Sequence, residues 1–107
     1  MTHPKLQEIL GKLQKHLKFV YKNRLVSLVL FGSQARKEAN GNSDIDVLIV
    51  VAGPLDVPYE SERLNDFIAD LCLEYDVLLS CLWTESQEWK TRQSPLLINI
   101  HREGIAV

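Results

Sequence analysis

Over residues 4–22, Leu6, Ile9, Leu10, Leu13, Leu17, Val20 and Tyr21 recur at three- and four-residue steps with lysines between them, which predicts an amphipathic helix. The short apolar run VSLVLF at 26–31 reads as a buried central strand. A brief helix is expected from Ser33 to about Ala39, then a turn at Asn40-Gly41-Asn42-Ser43. The run from Asp44 to Val51 predicts a second strand, ended by Gly53-Pro54. Residues 59–74 predict a second amphipathic helix, with Leu64, Phe67, Ile68, Leu71 and Cys72 on its apolar face and Ser61 or Tyr59 near its start. A third strand is expected from Asp76 to Trp83. Thr84-Glu85-Ser86-Gln87 resembles an N-cap opening a short helix to about Thr91. Ser94-Pro95 opens a last helix to about Arg102, ended by Gly104. The sum is an α/β (α+β-like) fold: a small mixed sheet of about three or four strands with helices packed on it.

At 107 residues the chain is expected to form a single domain over 1–107, near the lower end of common domain size. Hydrophobic residues at 46% and charged residues at 24% fit a soluble globular chain. No apolar run approaches a membrane span of about 20 residues and no signal-peptide core opens the sequence, so a cytoplasmic location is expected. Cys72 and Cys81 lack metal-ligand spacing and read as buried reduced thiols.

The net charge of −2 conceals a polarity along the chain. Residues 1–24 carry six Lys or Arg and one acid, whereas residues 38–76 carry ten acids and one base. Two solvated helix faces would account for this; a basic helix that attracts an acidic partner or nucleic acid is the sharper reading. The overall pI speaks against a dedicated DNA-binding protein.

The candidate chemistry lies between Phe31 and Val51. Gly32-Ser33 leaves a buried strand where backbone N–H groups favour phosphate, and glycine permits close approach. Asp44 and Asp46, two apart on a strand, project from the face shared with Leu48 and Val50. Paired carboxylates repel unless a cation stands between them, and hard oxygen ligands suit Mg²⁺ with substrate phosphates. Capping the turn is the plainer role for Asp44, but aspartate is depleted inside strands, where Asp46 falls. Asp76 is the candidate third acid of a site with two Mg²⁺ ions, provided the third strand lies beside the second. Its alternative is a helix-to-strand turn residue. Arg36 or Lys37 is placed to neutralise phosphate charge, or else to be solvated surface charge.

Gly32-Ser33, ten residues, then Asp44-x-Asp46 resembles the signature of the nucleotidyltransferase superfamily that includes DNA polymerase beta. The length resembles its minimal branch, often encoded beside a helical HEPN-domain protein. The resemblance implies nucleotidyl or adenylyl transfer from ATP, with Asp44 and Asp46 as metal ligands and Asp76 as the third acid that helps activate the acceptor hydroxyl. In toxin–antitoxin members, the minimal enzyme adenylylates a tyrosine of its HEPN partner. Lys37 departs from the family's frequent glycine.

A chain of this length has little room for an acceptor-binding domain, so a partner is expected to present the acceptor. The competing readings are a non-catalytic antitoxin that acts by occlusion, and transfer to a small molecule. His3, His16 and His101 are too scattered to suggest a shared metal site, Trp83 and Trp89 read as core or interface aromatics, and Ser80 as a buried strand hydroxyl. Arg102-Glu103 reads as an interface pair.

Overall fold

The computed structural model describes residues 3–36, 44–92 and 94–107. Helix α1 (Leu6–Tyr21) buries Leu6, Ile9, Leu10, Leu13, Leu17 and Tyr21, the stripe that the periodicity predicts. A single 3-10 turn over Lys22–Arg24 leads into β1 (Leu25–Phe31). The short helix α2 (Gly32–Arg36) follows directly, and β2 spans Ile45–Val51. The expected turn at 40–43 lies outside the described residues.

Helix α3 (Val57–Tyr75) starts earlier than the periodicity suggests. Asp56 is its N-cap, ahead of Tyr59 and Ser61, and its side chain accepts a hydrogen bond from the Tyr59 N–H. Strand β3 (Leu79–Glu85) is followed by α4 (Ser86–Thr91), so Thr84 belongs to the strand and Glu85 stands at the cap without a side-chain bond. Helix α5 (Pro95–Glu103) has the predicted start: the Ser94 hydroxyl accepts from the Leu97 N–H, with Pro95 in the first turn. A two-residue strand, β4 (Ile105–Ala106), completes the sheet.

The sheet order is β3-β2-β1-β4. Strands β2 and β3 run parallel, connected by the α3 crossover, while β1 is antiparallel to both β2 and β4. The sheet is therefore mixed, and β1 and β2 occupy its centre. Helices on both faces explain why β2 is almost wholly apolar. Its Ile45, Val47, Ile49 and Val51 join the core formed with α1 and α3, whereas Leu48 and Val50 pack with Val29, Leu97 and Ile100 on the α5 side. Each fully buried aliphatic side chain contributes about 1.5–3 kcal/mol.

Helices α1 and α3 lie side by side, and the charge polarity of the sequence is partly satisfied between them. Lys12 Nζ bonds Glu74 at 2.8 Å, and the Tyr75 hydroxyl donates to Glu8. His16 stacks on Phe67 with ring centroids 3.8 Å apart, which accounts for a histidine among lysines. Trp83 packs at the edge of the α1–α3 core and Trp89 at that of the α5 core. Both cysteines are free thiols, half-buried rather than fully buried. Among the described residues, no helix is long and apolar enough to cross a membrane.

Candidate active site

Strand β1 ends at Phe31, and the chain turns at once into α2 through Gly32, whose φ is +74°. This is the left-handed region that glycine enters at little cost. A second constraint acts on the same residue: a Cβ at this position would stand 2.5 Å from Asp46 Oδ2. The glycine thus lets the backbone lie against a carboxylate from the neighbouring strand. Ser33, next in line, is half-buried.

Asp44 is exposed immediately before β2, and Asp46 is half-buried as the second residue of that strand. In the sheet register Asp46 stands opposite Phe31 of β1 on one side and Ser80 of β3 on the other. The Asp46 carboxyl is shifted above the usual carboxylate range, first by burial and second by the charge of Asp44. The Arg36 guanidinium opposes that shift. Negative charge is therefore crowded at this edge of the sheet, and a bound cation would relieve it. Arg36 is oriented by an ion pair of 3.0 Å with Glu103, reaching from α2 to α5. Glu103 accordingly pairs with Arg36 within the chain, while Arg102 bonds Asn99 at 2.9 Å.

Asp76 does not open the third strand. It is the C-cap of α3, exposed, with φ 51° and ψ 54°, and its backbone N–H donates to the Cys72 carbonyl. Aspartate tolerates the left-handed conformation better than most residues, which suits it to this cap. Strand β3 begins only at Leu79, opposite Ile45. The expectation that the third strand adjoins the second holds, but the residue aligned with Asp46 is Ser80. Among the described residues, no three His, Cys, Asp or Glu side chains gather closely enough to hold a metal ion. Gly32, Asp44, Asp46 and Arg36 thus come together; Asp76 is not joined to them in such a group. Lys37 lies outside the described residues.

Two neighbours of the site were not legible in the sequence. Glu103 reaches it only through the packing of α5 against α2, and Ser80 only through the β2–β3 register. A serine in a strand carries no signal of its own.

Comparison with known proteins agrees with this fold. The chain belongs to the nucleotidyltransferase-domain family, whose profile matches residues 8–107. It is similar to MJ0141 of Methanocaldococcus jannaschii, named as a candidate protein adenylyltransferase, at 33% identity over 100 residues, covering 94% of this chain and 96% of that one. A second candidate protein adenylyltransferase of that organism, MJ0604, is 39% identical over 72 residues, or 67% of this chain and 65% of the relative. Among solved structures, a candidate nucleotidyltransferase from Sulfolobus solfataricus superposes with a TM-score of 0.67 at 17% identity, covering 92% of this chain and 76% of that one. A toxin–antitoxin crystal structure with AMP-PNP gives a TM-score of 0.59 at 20% identity, covering 90% of this chain and 69% of that one. At these identities the solved structures share the fold. The chain is a nucleotidyltransferase: an enzyme that transfers a nucleotidyl group.

Proposed function

We propose that this enzyme transfers AMP from Mg-ATP to a tyrosine hydroxyl of a protein partner, a HEPN-type toxin for which it serves as antitoxin. The observation that carries this reading is the approach of Gly32 to Asp46, a glycine turn of the kind that suits phosphate lying against a carboxylate whose charge burial and Asp44 both oppose. Relatives named as candidate protein adenylyltransferases and the toxin–antitoxin structures of the same fold support the nucleotide and the partner.

Asp44 and Asp46 would hold Mg²⁺, which would offset negative charge on the phosphates as the transfer proceeds. The N–H groups and hydroxyl of Ser33 and its neighbours bind the outer phosphates, and Arg36 adds positive charge from α2. With the triphosphate so held, the acceptor oxygen attacks the α-phosphorus in line. The bond to the bridging oxygen breaks and pyrophosphate leaves with its electron pair, while the hydroxyl proton passes to water. A phenol, with a pKa of about 10, releases that proton far more readily than an aliphatic hydroxyl. This favours tyrosine at a site whose crowded acids are Asp44 and Asp46.

The test is incubation with ATP labelled at the α-phosphate and the protein encoded by the neighbouring gene. Label should appear on a tyrosine of that protein and vanish with Asp44→Ala. Equal labelling by the mutant would overturn the assignment; partner inhibition undiminished in an Asp44/Asp46 double mutant without ATP would point to occlusion instead.

A further inference from the structure

We infer that the site holds one divalent cation, carried in with the triphosphate, rather than the pair used by two-metal phosphoryl-transfer sites, and that Ser80 is the residue that sets this number. The inference rests on the reading of Asp44 and Asp46 as metal ligands.

Parallel pairing of β2 with β3 sets Asp46 opposite Ser80, and residues opposite each other in a ladder present their side chains on the same face, about 4.8 Å apart across the strands. The face is fixed independently by packing. Leu79, Cys81 and Trp83 point into the core beneath α1 and α3, together with Ile45, Val47 and Ile49. Ser80 therefore shares the opposite face with Asp46, and it is half-buried there. On the other flank of Asp46 the register partner is Phe31, which packs into the α5 core and offers no ligand.

Two dications about 3.5–4 Å apart repel each other, and protein sites offset this with carboxylates shared between them. Here Asp44, just before β2, and Asp46, within it, supply one pair of carboxylates. The position on β3 from which a third would reach the same place bears a neutral hydroxyl. The next acid before it in sequence, Asp76, lies at the C-cap of α3, and among the described residues it forms no metal-binding group with Asp44 and Asp46. One ion is well served by Asp44, Asp46 and phosphate oxygens, which is the usual ligand set for Mg²⁺ with a nucleotide. Among the described residues no third acid joins Asp44 and Asp46 in a group able to hold a metal ion, so a second ion would have the same two carboxylates to share with the Ser80 hydroxyl in addition.

The inference is tested by counting ions directly. Crystals of the full chain with Mn²⁺ and a non-hydrolysable ATP analogue should show one anomalous peak at Asp44 and Asp46. Mn²⁺ titration followed by electron paramagnetic resonance, corrected for the nucleotide alone, should give one bound ion per chain. Ser80→Asp should add a second peak between residues 46 and 80 and raise the solution count to two, whereas Ser80→Asn should leave both at one. Two peaks in the wild type would overturn the single-ion inference while leaving nucleotidyl transfer from Asp44 and Asp46 intact. A wild-type count of zero that Asp46→Asn does not change would overturn the metal-ligand reading itself. A count that stays at one in folded Ser80→Asp would overturn the role of Ser80; should that variant fail to fold, the wild-type count decides the number of ions and Ser80→Glu, counted in the same way, decides the role of Ser80.

Discussion

A Cβ on Gly32 would stand 2.5 Å from Oδ2 of Asp46, so the turn after β1 and the carboxylate on β2 are fitted to each other with no space for a methyl group. Gly32→Ala must therefore both adopt a left-handed backbone and displace Asp46. The backbone alone costs about 1–2 kcal/mol. We expect a loss of at least that size in urea denaturation, accompanied by weaker Mn²⁺ binding. Wild-type stability and ion affinity in this variant would contradict the fit.

Asp46 is held where burial and Asp44 both oppose its charge. Asp46→Asn removes that charge at nearly constant shape, so it is expected to stabilise the metal-free protein at pH 7 while abolishing transfer. Adding Mg²⁺ and nucleotide at 100 times the dissociation constant should stabilise the wild type by about 2.7 kcal/mol and the variant by much less. Thermal melts with and without Mg-nucleotide measure both effects; a variant less stable than the metal-free wild type would contradict the electrostatic account.

Glu103 reaches Arg36 at 3.0 Å with both side chains about one-third exposed, at 33% and 39%. A pair so open to water contributes about 0.2–1 kcal/mol to stability. Its effect on the site should be larger. With Glu103→Gln we expect the KM for ATP to rise roughly several-fold as Arg36 loses its orientation, with stability changed by less than about 1 kcal/mol. Steady-state kinetics beside a denaturation curve separate the two, and an unchanged KM would remove Glu103 from the site.

Away from the site, the Tyr21 hydroxyl donates to Glu60 at 2.8 Å and accepts from Trp83 Nε1 at 2.9 Å. Glu60 is only 4% exposed and also receives Arg63 Nε at 2.8 Å. Tyr21→Phe leaves two partners without their bond and should cost about 1–3 kcal/mol in urea denaturation. Catalysis should be unaffected at temperatures where the variant is folded.

Burial pushes the Cys81 thiol from an ordinary 9.0 up to about 12, with the Cys72 thiol adding in the same direction. Tyr21 likewise rises from 10.0 to about 12, through burial and then its bond to Glu60. Both folded pKa values are raised, so the folded chain holds these protons more tightly than the unfolded chain. The stability involved is intact below about pH 9 and falls as the pH rises toward about 12. Urea midpoints across that range should fall, and Cys81→Ala should make the fall shallower; a flat profile in the wild type would contradict the assignment.

The elements were legible where a single period of hydrophobicity decides them. The stripe of α1, the alternation of β2 and the Ser94-Pro95 start of α5 are local patterns, and the structure reproduces each. Element ends set by long-range geometry were not. Asp76 and the apolar run after it look like one strand, but the α3 cap takes the aspartate and the β2 ladder admits β3 only from Leu79. The two residues of β4 are too few to carry a pattern and form only because β1 offers them an edge.

For this protein, the sequence by itself determined that a glycine turn and a pair of carboxylates lie a fixed distance apart on adjoining elements, because such spacing is a property of the chain. Only the tertiary structure decided what stands next to them. Ser80 beside Asp46 follows from the register of two parallel strands joined by a long helix, and Glu103 beside Arg36 from helix packing. Gly32 and Asp46 belong to both accounts: the sequence names them, but only the fold brings the carboxylate to within 2.5 Å of where the missing Cβ would be. A linear sequence encodes periodicity and spacing directly, whereas register and close approach emerge only once the whole core has packed.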